Sequence, residues 1–249
     1  MDAERSIDKT RIGFENLFEE ANYYNRQTQD ERHLALIMDS LCIGTGDKIL
    51  DLGTGSGYLA FPIAIKHPEC TVIGVDIVVK ALEKNREKAM KQGLSSITFV
   101  SYDGVDLPFM DAAFTVITTR YALHHFPLLE NTFRNLSRII KEGGQLFISD
   151  PTPDMNDHVN FIDSFMQTAQ DGHVKFYTKD EFVDLASNAG FRLEKSFQTQ
   201  IRFPRKRTPI ILDLLDRYDL VTKERYAIEI CEDDVYITTK VWNLLFIKT

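Results

Sequence analysis

The sequence is poor in cysteine, with Cys42, Cys70 and Cys231 as the only three among 249 residues. They lie far apart, so the chain offers neither an even disulfide framework nor a Cys-x-x-Cys pair. This pattern excludes a disulfide-stabilised scaffold and favours a reducing compartment. We therefore expect a cytoplasmic protein.

Long apolar runs are also missing. No window approaches the roughly 18 uninterrupted apolar residues of a membrane-spanning helix. The first residues, Met1 to Arg11, are charged and contain no apolar core of a secretory signal. We therefore expect neither export nor a membrane partner.

Positive charge is in short supply, with 29 Lys and Arg against 37 Asp and Glu and a formal net charge of −8. Such a chain presents no general nucleic-acid-binding surface, so we expect no nucleic-acid partner. The basic cluster from Arg202 to Arg207 is predicted to be a solvated face. Linkers rich in Pro, Gly or Ser and internal repeats are absent as well, which favours a single domain over residues 1–249.

The chain does contain a sustained alternation of short β-branched runs and helical patterns after residue 46. This alternation is typical of βαβ units around a parallel sheet. The predicted strands are Lys48–Leu52, Thr71–Asp76, Ile97–Tyr102, Phe114–Thr119, Gln145–Ser149, Phe191–Phe197 and Val241–Lys248. The predicted helices include Gly57–Lys66, Val78–Gln92, Leu128–Lys141, one opened by a capping box at Thr178, and a helical excursion over Pro204–Ile230.

The most informative stretch is Asp51 to Tyr58, which reads Asp-Leu-Gly-Thr-Gly-Ser-Gly-Tyr and joins the first predicted strand to the first predicted helix of the sheet. Its three glycines let the backbone approach a ligand closely, and the helix N-terminus adds partial positive charge. Asp51 stands directly before the glycines. A carboxylate at this position would repel a pyrophosphate and attract an ammonium group.

Two cofactor classes compete for this loop. Gly55, Gly57 and Ala60 fit the loose dinucleotide pattern G-x-G-x-x-A, and Asp76 lies at the spacing expected of a ribose-binding acid. A dinucleotide would, however, place its pyrophosphate near Asp51 with no obvious cation between them. S-adenosylmethionine carries a sulfonium and an ammonium but no phosphate, so the sequence favours it as the cofactor.

Two further acids end strands at the same predicted edge of the sheet. Asp76 ends the second strand, where it can accept both ribose hydroxyls or, alternatively, cap the helix that begins near Val78. Asp103 and Gly104 follow the third strand. There the carboxylate can accept the adenine amine, and the alternative is a plain turn.

These segments occur along the chain in the same order as the motifs of a known protein family. Taken together with Gly74–Ile77, Ser101–Phe109, Arg120–Pro127 and Lys141–Phe147, the glycine loop resembles the class I S-adenosylmethionine-dependent methyltransferases. The chain is most similar to the branch that includes the ubiquinone/menaquinone-biosynthesis C-methyltransferases. The resemblance covers residues 45 to 150 and fades after Asp150.

The resemblance implies a Rossmann-like, doubly wound α/β fold with a seven-stranded sheet whose last strand is antiparallel. We expect an N-terminal helical cap (1–45), a cofactor-binding core (46–150) and an acceptor-side segment with the C-terminal strands (151–249). The methionine end of the cofactor would be contacted by Thr119 or Arg120 through the backbone, and the product would be S-adenosylhomocysteine. The implied cofactor-binding positions are Asp51, Gly53, Thr54, Gly55, Gly57, Asp76, Ile77, Asp103, Gly104, Thr119 and Arg120.

Methyl transfer from a sulfonium depends above all on alignment, and a general base adds to it. His124 and His125 follow the fourth strand at the ligand edge, and His125 is the preferred base. The alternative is that one histidine packs against the next helix and the other is exposed. Asp150 is a weaker candidate, whereas Tyr23 and Tyr24 are either a lid or core aromatics. No metal-ligand spacing occurs near the site, so no metal is expected.

The predicted function is transfer of a methyl group from S-adenosylmethionine to an O, C or N atom of a small, apolar metabolite. The alternatives are a non-catalytic S-adenosylmethionine-binding regulatory protein, an NAD-dependent dehydrogenase and an RNA methyltransferase. The sequence leaves the oligomeric state open, with a homodimer as one option, and does not identify the methyl acceptor.

Overall fold

The structure, a computed structural model, describes residues 3–19, 29–169 and 171–249, and of residues 17–19 only the backbone. Tyr23 and Tyr24, predicted to be either a lid or core aromatics, lie outside the described residues. The helices are α1 (Ala3–Glu19), α2 (Glu31–Met38), α3 (Ala60–Lys66), α4 (Val79–Lys91), α5 (Leu129–Ile139), α6 (Phe161–Met166), α7 (Lys179–Asn188), α8 (Pro209–Leu215) and α9 (Leu220–Arg225). The strands are β1 (Lys48–Leu52), β2 (Thr71–Asp76), β3 (Ile97–Ser101), β4 (Phe114–Arg120), β5 (Ile140–Thr152), β6 (Phe191–Lys206), β7 (Glu229–Ile230) and β8 (Asp234–Lys248).

One mixed sheet organises the described chain, in the order β3-β2-β1-β4-β5-β8-β6, with the two-residue strand β7 paired to β8. All pairs among β1 to β5 are parallel, whereas β8 runs antiparallel between β5 and β6. The predicted α/β fold with an antiparallel last strand is therefore confirmed. The seven expected strands form the main path, and β7 is an additional eighth strand.

Helices cover both faces of the sheet. One core joins Leu50 and Ile117 to residues of α5 and α7, and the other joins Ile49 and Val116 to residues of α2, α3 and α4. Neighbouring residues of one strand thus face opposite cores, as the pleat of a strand requires. A third core lies in the acceptor-side segment, where α6, α8 and Tyr226, which follows α9, pack with the outer ends of β6 and β8.

The outer strands are longer than the sequence indicates. β6 continues to Lys206 and pairs with the early part of β8, so that Arg202 lies opposite Thr238. The predicted helical excursion over Pro204–Ile230 is therefore wrong at both ends, because its first residues continue β6 and its last two form β7. Pro204 signals a strand break, yet β6 is an edge strand and an edge strand tolerates proline.

The parallel strands bring four chemically informative residues to one edge of the sheet. Asp51 lies in β1, Asp76 ends β2, Arg120 ends β4 and Asp150 lies near the end of β5. In open α/β sheets, ligands bind at this carboxyl edge. The fold therefore places the predicted site where such a sheet forms one.

Candidate active site

The glycine loop lies at the carboxyl edge, between β1 and α3. Gly53, Gly55 and Gly57 have φ angles of +66°, +48° and +76°, a region that costs other residues about 1–2 kcal/mol. A Cβ at Gly53 would lie 2.5 Å from the Ala122 Cβ, and one at Gly57 would lie 2.4 Å from the Phe61 ring. Conformation and packing together therefore require glycine at positions 53 and 57.

Asp51 is buried beside this loop, with 3% of its surface exposed. Its carboxylate oxygens accept hydrogen bonds from the hydroxyls of Thr54 at 2.8 Å and Thr118 at 3.0 Å. Burial nevertheless raises the pKa of Asp51 to about 6, because a carboxylate is poorly solvated there. Asp51 and Thr54 both line a small cavity at the loop.

A cation lines the same cavity. Its walls include Asp51, the glycine loop and Arg120. The sequence shows no obvious cation between Asp51 and a bound pyrophosphate, whereas in the structure Arg120 lines the same cavity as Asp51. The cavity carries opposite charges on its walls, so its charge alone does not exclude a phosphate.

Asp76 lines the larger, neighbouring pocket. Its Oδ2 accepts a hydrogen bond from the Gly55 N–H at 2.8 Å, and its Oδ1 accepts one from the Val78 N–H at 2.9 Å. Asp76 therefore does not cap α4, whose N-cap residue is Val78 and which has no side-chain cap; the Asp76 carboxylate instead fixes the turn before the helix and bonds the glycine loop. A carboxylate has about four acceptor sites, so ribose hydroxyls can still be accommodated. Burial raises the pKa of Asp76.

Asp103 occupies an exposed turn after β3. Its Oδ1 accepts hydrogen bonds from the N–H groups of Val105 and Asp106 at 2.8 and 2.9 Å, and these bonds lower its pKa. This geometry is the plain turn that the sequence left as the alternative. Gly104, at φ +89°, and Tyr102 line the larger pocket on either side of Asp103.

The two candidates at the end of β4 differ in their placement. The Thr119 hydroxyl is buried and has no hydrogen-bond partner among the described residues. Arg120 lines the cavity at the glycine loop and also a second cavity beside the N-terminus of α2. The structure therefore places the Arg120 side chain, and not only its backbone, at the predicted site.

The N-terminal helix closes the larger pocket. Ile7, Thr10 and Phe14, at helical spacing on α1, line it opposite the glycine loop and Ile77. Gly172 lies against α1, where a Cβ would come within 2.1 Å of the Thr10 hydroxyl oxygen. Sequence reasoning missed these residues, although the spacing of Ile7 and Phe14 on one helix face was a usable signal.

The two adjacent histidines have different surroundings. The His124 Nδ1 lies 2.5 Å from the Asp150 Oδ1, and the Asp150 Oδ2 accepts the N–H groups of Ala122 and Leu123. Burial raises the pKa of Asp150 to about 7 and lowers that of His124. We therefore assign the His124–Asp150 pair to holding the turn that carries both histidines.

His125 lines the larger pocket. Its ring lies edge-on to Phe14, with the two centroids 4.9 Å apart. The buried Nδ1 of His125 has no hydrogen-bond partner among the described residues, and burial lowers its pKa to about 3. A neutral imidazole with an unsatisfied nitrogen therefore borders the pocket.

The acceptor-side segment adds a buried cluster of charged and polar groups. The His173 Nε2 lies 2.8 Å from the Asp163 Oδ1, and the Arg205 guanidinium lies 3.4 Å from the Asp171 Oδ2. The ring of His173 lies 5.5 Å from that of His124, centroid to centroid. The prediction of a solvated basic face is therefore wrong for Arg205, because it pairs with a buried carboxylate.

Two further features are absent from the described ranges. Among those residues, no group of three or more His, Cys, Asp or Glu side chains is arranged to hold a metal ion. In the same part of the chain, no helix combines the length and apolarity that crossing a membrane requires.

Comparison with known proteins assigns the chain to a family. A family model described as a methyltransferase domain matches residues 43–200, more than half of the chain. The chain is also similar to YcgJ of Bacillus subtilis (strain 168), described as an uncharacterised methyltransferase, with 31% identity over 46% of each protein. A demethylmenaquinone methyltransferase of Thermus thermophilus is 34% identical over 43% of this chain and 48% of its own length. The chain thus spans about half the length of these curated relatives.

Solved structures show a similar fold. A candidate methyltransferase from Bacillus halodurans superposes with a TM-score of 0.78, at 22% identity, over 86% of this chain and 98% of that one. At this identity the likeness concerns the fold alone. It supports the doubly wound architecture over nearly the whole of the described chain.

Proposed function

The chain belongs to the methyltransferase domain family, and from this premise we propose that it transfers a methyl group from S-adenosylmethionine to an O, C or N atom of a small, apolar metabolite. The product of the donor is S-adenosylhomocysteine. The observation that carries the proposal is a single pocket whose walls include the glycine loop and Asp76 on one side and His125 on the other.

The residues present fit the donor. The glycine loop leaves room for a ligand close to the backbone, since Gly53 and Gly55 line the pocket without a Cβ. Asp76 would hold the ribose hydroxyls, and Tyr102 and Gly104 would border the adenine. Asp51 would face the ammonium group of the donor. The bound donor supplies an activated methyl group on a sulfonium.

His125 acts on the acceptor side. Its ring is neutral over the physiological range because burial lowers its pKa to about 3. The ring can then orient a methyl acceptor that enters the pocket. Because a group of such low pKa takes up a proton poorly, the contribution of His125 is alignment of the acceptor with the donor, and a misplacement of about 1 Å can lower a rate by about 10²-fold.

The walls around His125 indicate the class of acceptor. Ile7, Phe14, Phe126 and Pro127 surround it with apolar surface. Such a pocket fits a compact, apolar molecule better than a polymer. A quinol or phenol nucleus has this character and carries an acidic oxygen, and one similar protein is described as a demethylmenaquinone methyltransferase.

The proposal is tested first by binding. Calorimetry and thermal unfolding should show that S-adenosylmethionine and S-adenosylhomocysteine bind and raise the melting temperature. Ligand at about a hundred times its dissociation constant adds roughly 2.7 kcal/mol of stability. We expect no such effect from NAD, and binding of NAD alone would indicate the dehydrogenase alternative.

Transfer is tested second, with methyl-labelled donor and a panel of quinols, phenols, carboxylates and amines. We expect label in the organic phase with an apolar acceptor, and loss of that label on adding S-adenosylhomocysteine. Binding of the donor without transfer to any member of the panel would favour the non-catalytic regulatory alternative.

A further inference from the structure

Gly172 lies directly against α1, the helix that closes the larger pocket. A Cβ at position 172 would lie 2.1 Å from the Thr10 Oγ1 and 2.6 Å from both the Thr10 Cα and the Thr10 backbone nitrogen. A side-chain atom can rotate out of such a contact, but the backbone of a helix cannot. The position of α1 therefore requires that residue 172 has no side chain.

The segment that carries Gly172 is fixed on both sides of the glycine. The Asp171 carboxylate lies 3.4 Å from the Arg205 guanidinium and accepts the His173 N–H at 3.2 Å. The His173 ring is fully buried, and its Nε2 lies 2.8 Å from the Asp163 Oδ1. A Cβ at position 172 would therefore displace α1 rather than this segment.

α1 is held less firmly than that segment. The hydrogen bond from the Thr10 hydroxyl to the Gly172 carbonyl oxygen is long, at 3.4 Å. Ile7 and Phe14 contribute apolar side chains to the pocket wall, and the centroid of the Phe14 ring lies 4.9 Å from that of His125. The contact with Gly172 thus decides how close this apolar wall comes to the acceptor end of the pocket.

We propose that Gly172 determines the size of the methyl acceptor, because it lets α1 close on the pocket without an intervening side chain. This inference rests on the proposed function and deepens it. Gly172 does not itself line the pocket, so it is a positioning residue that acts through Ile7, Thr10 and Phe14. With α1 in place the pocket admits a compact nucleus, and outward displacement of α1 would admit additional methylene groups.

The test measures calorimetrically how phenol, 4-propylphenol and 4-hexylphenol bind to the complex with S-adenosylhomocysteine, in which no methyl group can be transferred. The chains compared are the wild type, Gly172→Ala and a control, Gly46→Ala. The control is matched because Gly46 has a φ of +80° against +77° for Gly172, and no atom lies within 4 Å of its added Cβ. Gly46 also precedes β1, at the edge of the sheet opposite the pocket.

In the wild type and in Gly46→Ala, we expect 4-hexylphenol to bind no more tightly than phenol. In Gly172→Ala, the affinity for 4-hexylphenol relative to phenol should rise by about tenfold. General destabilisation lowers the folded fraction for both phenols equally and leaves this ratio unchanged. A ratio in Gly172→Ala equal to that of the control would overturn the inference. A wild-type affinity that rises about fourfold with each added methylene would overturn it as well, because α1 would then set no limit.

A second measurement needs no ligand and follows α1 itself. Trypsin cleaves after lysine and arginine, and α1 contains Arg5, Lys9 and Arg11. Cleavage at these residues should be about tenfold faster in Gly172→Ala than in Gly46→Ala, because a displaced helix opens more often. Equal rates would overturn the inference. A wild-type chain that binds neither S-adenosylhomocysteine nor any of the phenols would overturn the proposed function, whereas the trypsin comparison would still decide the role of Gly172.

Discussion

The donor end and the acceptor end of the proposed site are formed by different kinds of groups. The donor end is mainly backbone and short-range hydrogen bonds: Asp51 pairs with Thr54, and Asp76 with the N–H of Val78. The acceptor end has His125 at its wall, and paired side chains surround that histidine: His124 with Asp150, 26 positions apart, and His173 with Asp163, 10 positions apart. Ligand binding at the donor end therefore depends on loop geometry. The acceptor end depends on the protonation states of buried side chains.

This difference predicts which property a substitution changes at each end. Changes at the donor end should alter ligand affinity or loop stability, because the loop is a rigid backbone cradle. Changes at the acceptor end should alter turnover with little effect on donor affinity. Substitutions at either end can break this division.

The largest effect is expected at His125. His125→Gln removes the imidazole that borders the pocket, and turnover with the acceptor found in the panel should fall by about 10²-fold because the acceptor is no longer aligned. The dissociation constant of S-adenosylmethionine should change by less than about threefold, a limit that we set for a side chain outside the donor end. Steady-state kinetics and calorimetry check the two values.

His124→Gln is the matched variant for that experiment. Because His124 pairs with Asp150 in the buried turn, its loss should lower the melting temperature more than His125→Gln does. If His125→Gln retains normal turnover, the assignment of His125 is wrong. If it instead abolishes donor binding, the division between the two ends fails.

The second effect concerns the glycine loop. Gly53→Ala combines strain at φ +66° with a Cβ only 2.5 Å from the Ala122 Cβ. We expect a loss of about 3 kcal/mol in the free energy of unfolding, since strain costs about 1–2 and overpacking about 1–3. Gly93→Ala is the control, because Gly93 has nearly the same φ, +67°, and no atom within 4 Å of the added Cβ.

Denaturant unfolding of both variants separates strain from the clash. In Gly93→Ala the free energy of unfolding should fall by the cost of strain alone, about 1–2 kcal/mol. Equal losses in the two variants would show that the contact with Ala122 contributes nothing to the requirement for glycine at position 53.

The third effect compares two acids of the donor end. Asp76→Asn places an amide where a carboxylate accepts the N–H groups of Gly55 and Val78, so S-adenosylmethionine should bind about 10- to 100-fold more weakly. Asp103→Asn should weaken the binding of S-adenosylmethionine by less than about threefold, because the exposed Asp103 stabilises a turn that asparagine also supports. Calorimetry that ranks the two in the reverse order would restore Asp103 as the main adenosine-binding acid.

Much of the donor end was predictable from sequence for a physical reason. Parallel strands bring their carboxyl ends to one edge, so residues at strand ends, such as Asp51 and Asp76, meet there once the strands are identified. The roles of Gly53 and Gly57 were equally predictable, because their backbone conformation is accessible to few other residues.

The acceptor end was not predictable, because its contacts join residues far apart in sequence. The same holds outside the pocket, where the His33 Nε2 lies 2.8 Å from the Asn243 Oδ1 and the two residues are 210 positions apart. Burial lowers the pKa of His33 to about 4, which no local pattern indicates. Arg205 sits in a basic cluster that is typical of a solvated face, and only its contact with Asp171 reveals otherwise. The length of β6 was missed because its half-buried ribbon lacks a continuous apolar run.

Protonation of Asp51 tests whether the cavity at the glycine loop receives a cationic donor. In the empty protein, burial raises the pKa of Asp51 to about 6. A bound ammonium favours the ionised carboxylate, so the pKa of Asp51 should fall when the donor binds. Below about pH 6 the empty protein therefore holds a proton that must leave on binding, and donor affinity should fall as the pH falls.

The most direct measurement is calorimetric titration of S-adenosylmethionine between pH 5 and 7.5 into the wild-type chain and Asp51→Asn. For the wild type we expect affinity to rise with pH up to about pH 6, by at most about tenfold per unit, and then to level off. Asp51→Asn should bind more weakly at neutral pH and show no such rise. A flat profile for the wild type, or the same rise in Asp51→Asn, would contradict the account.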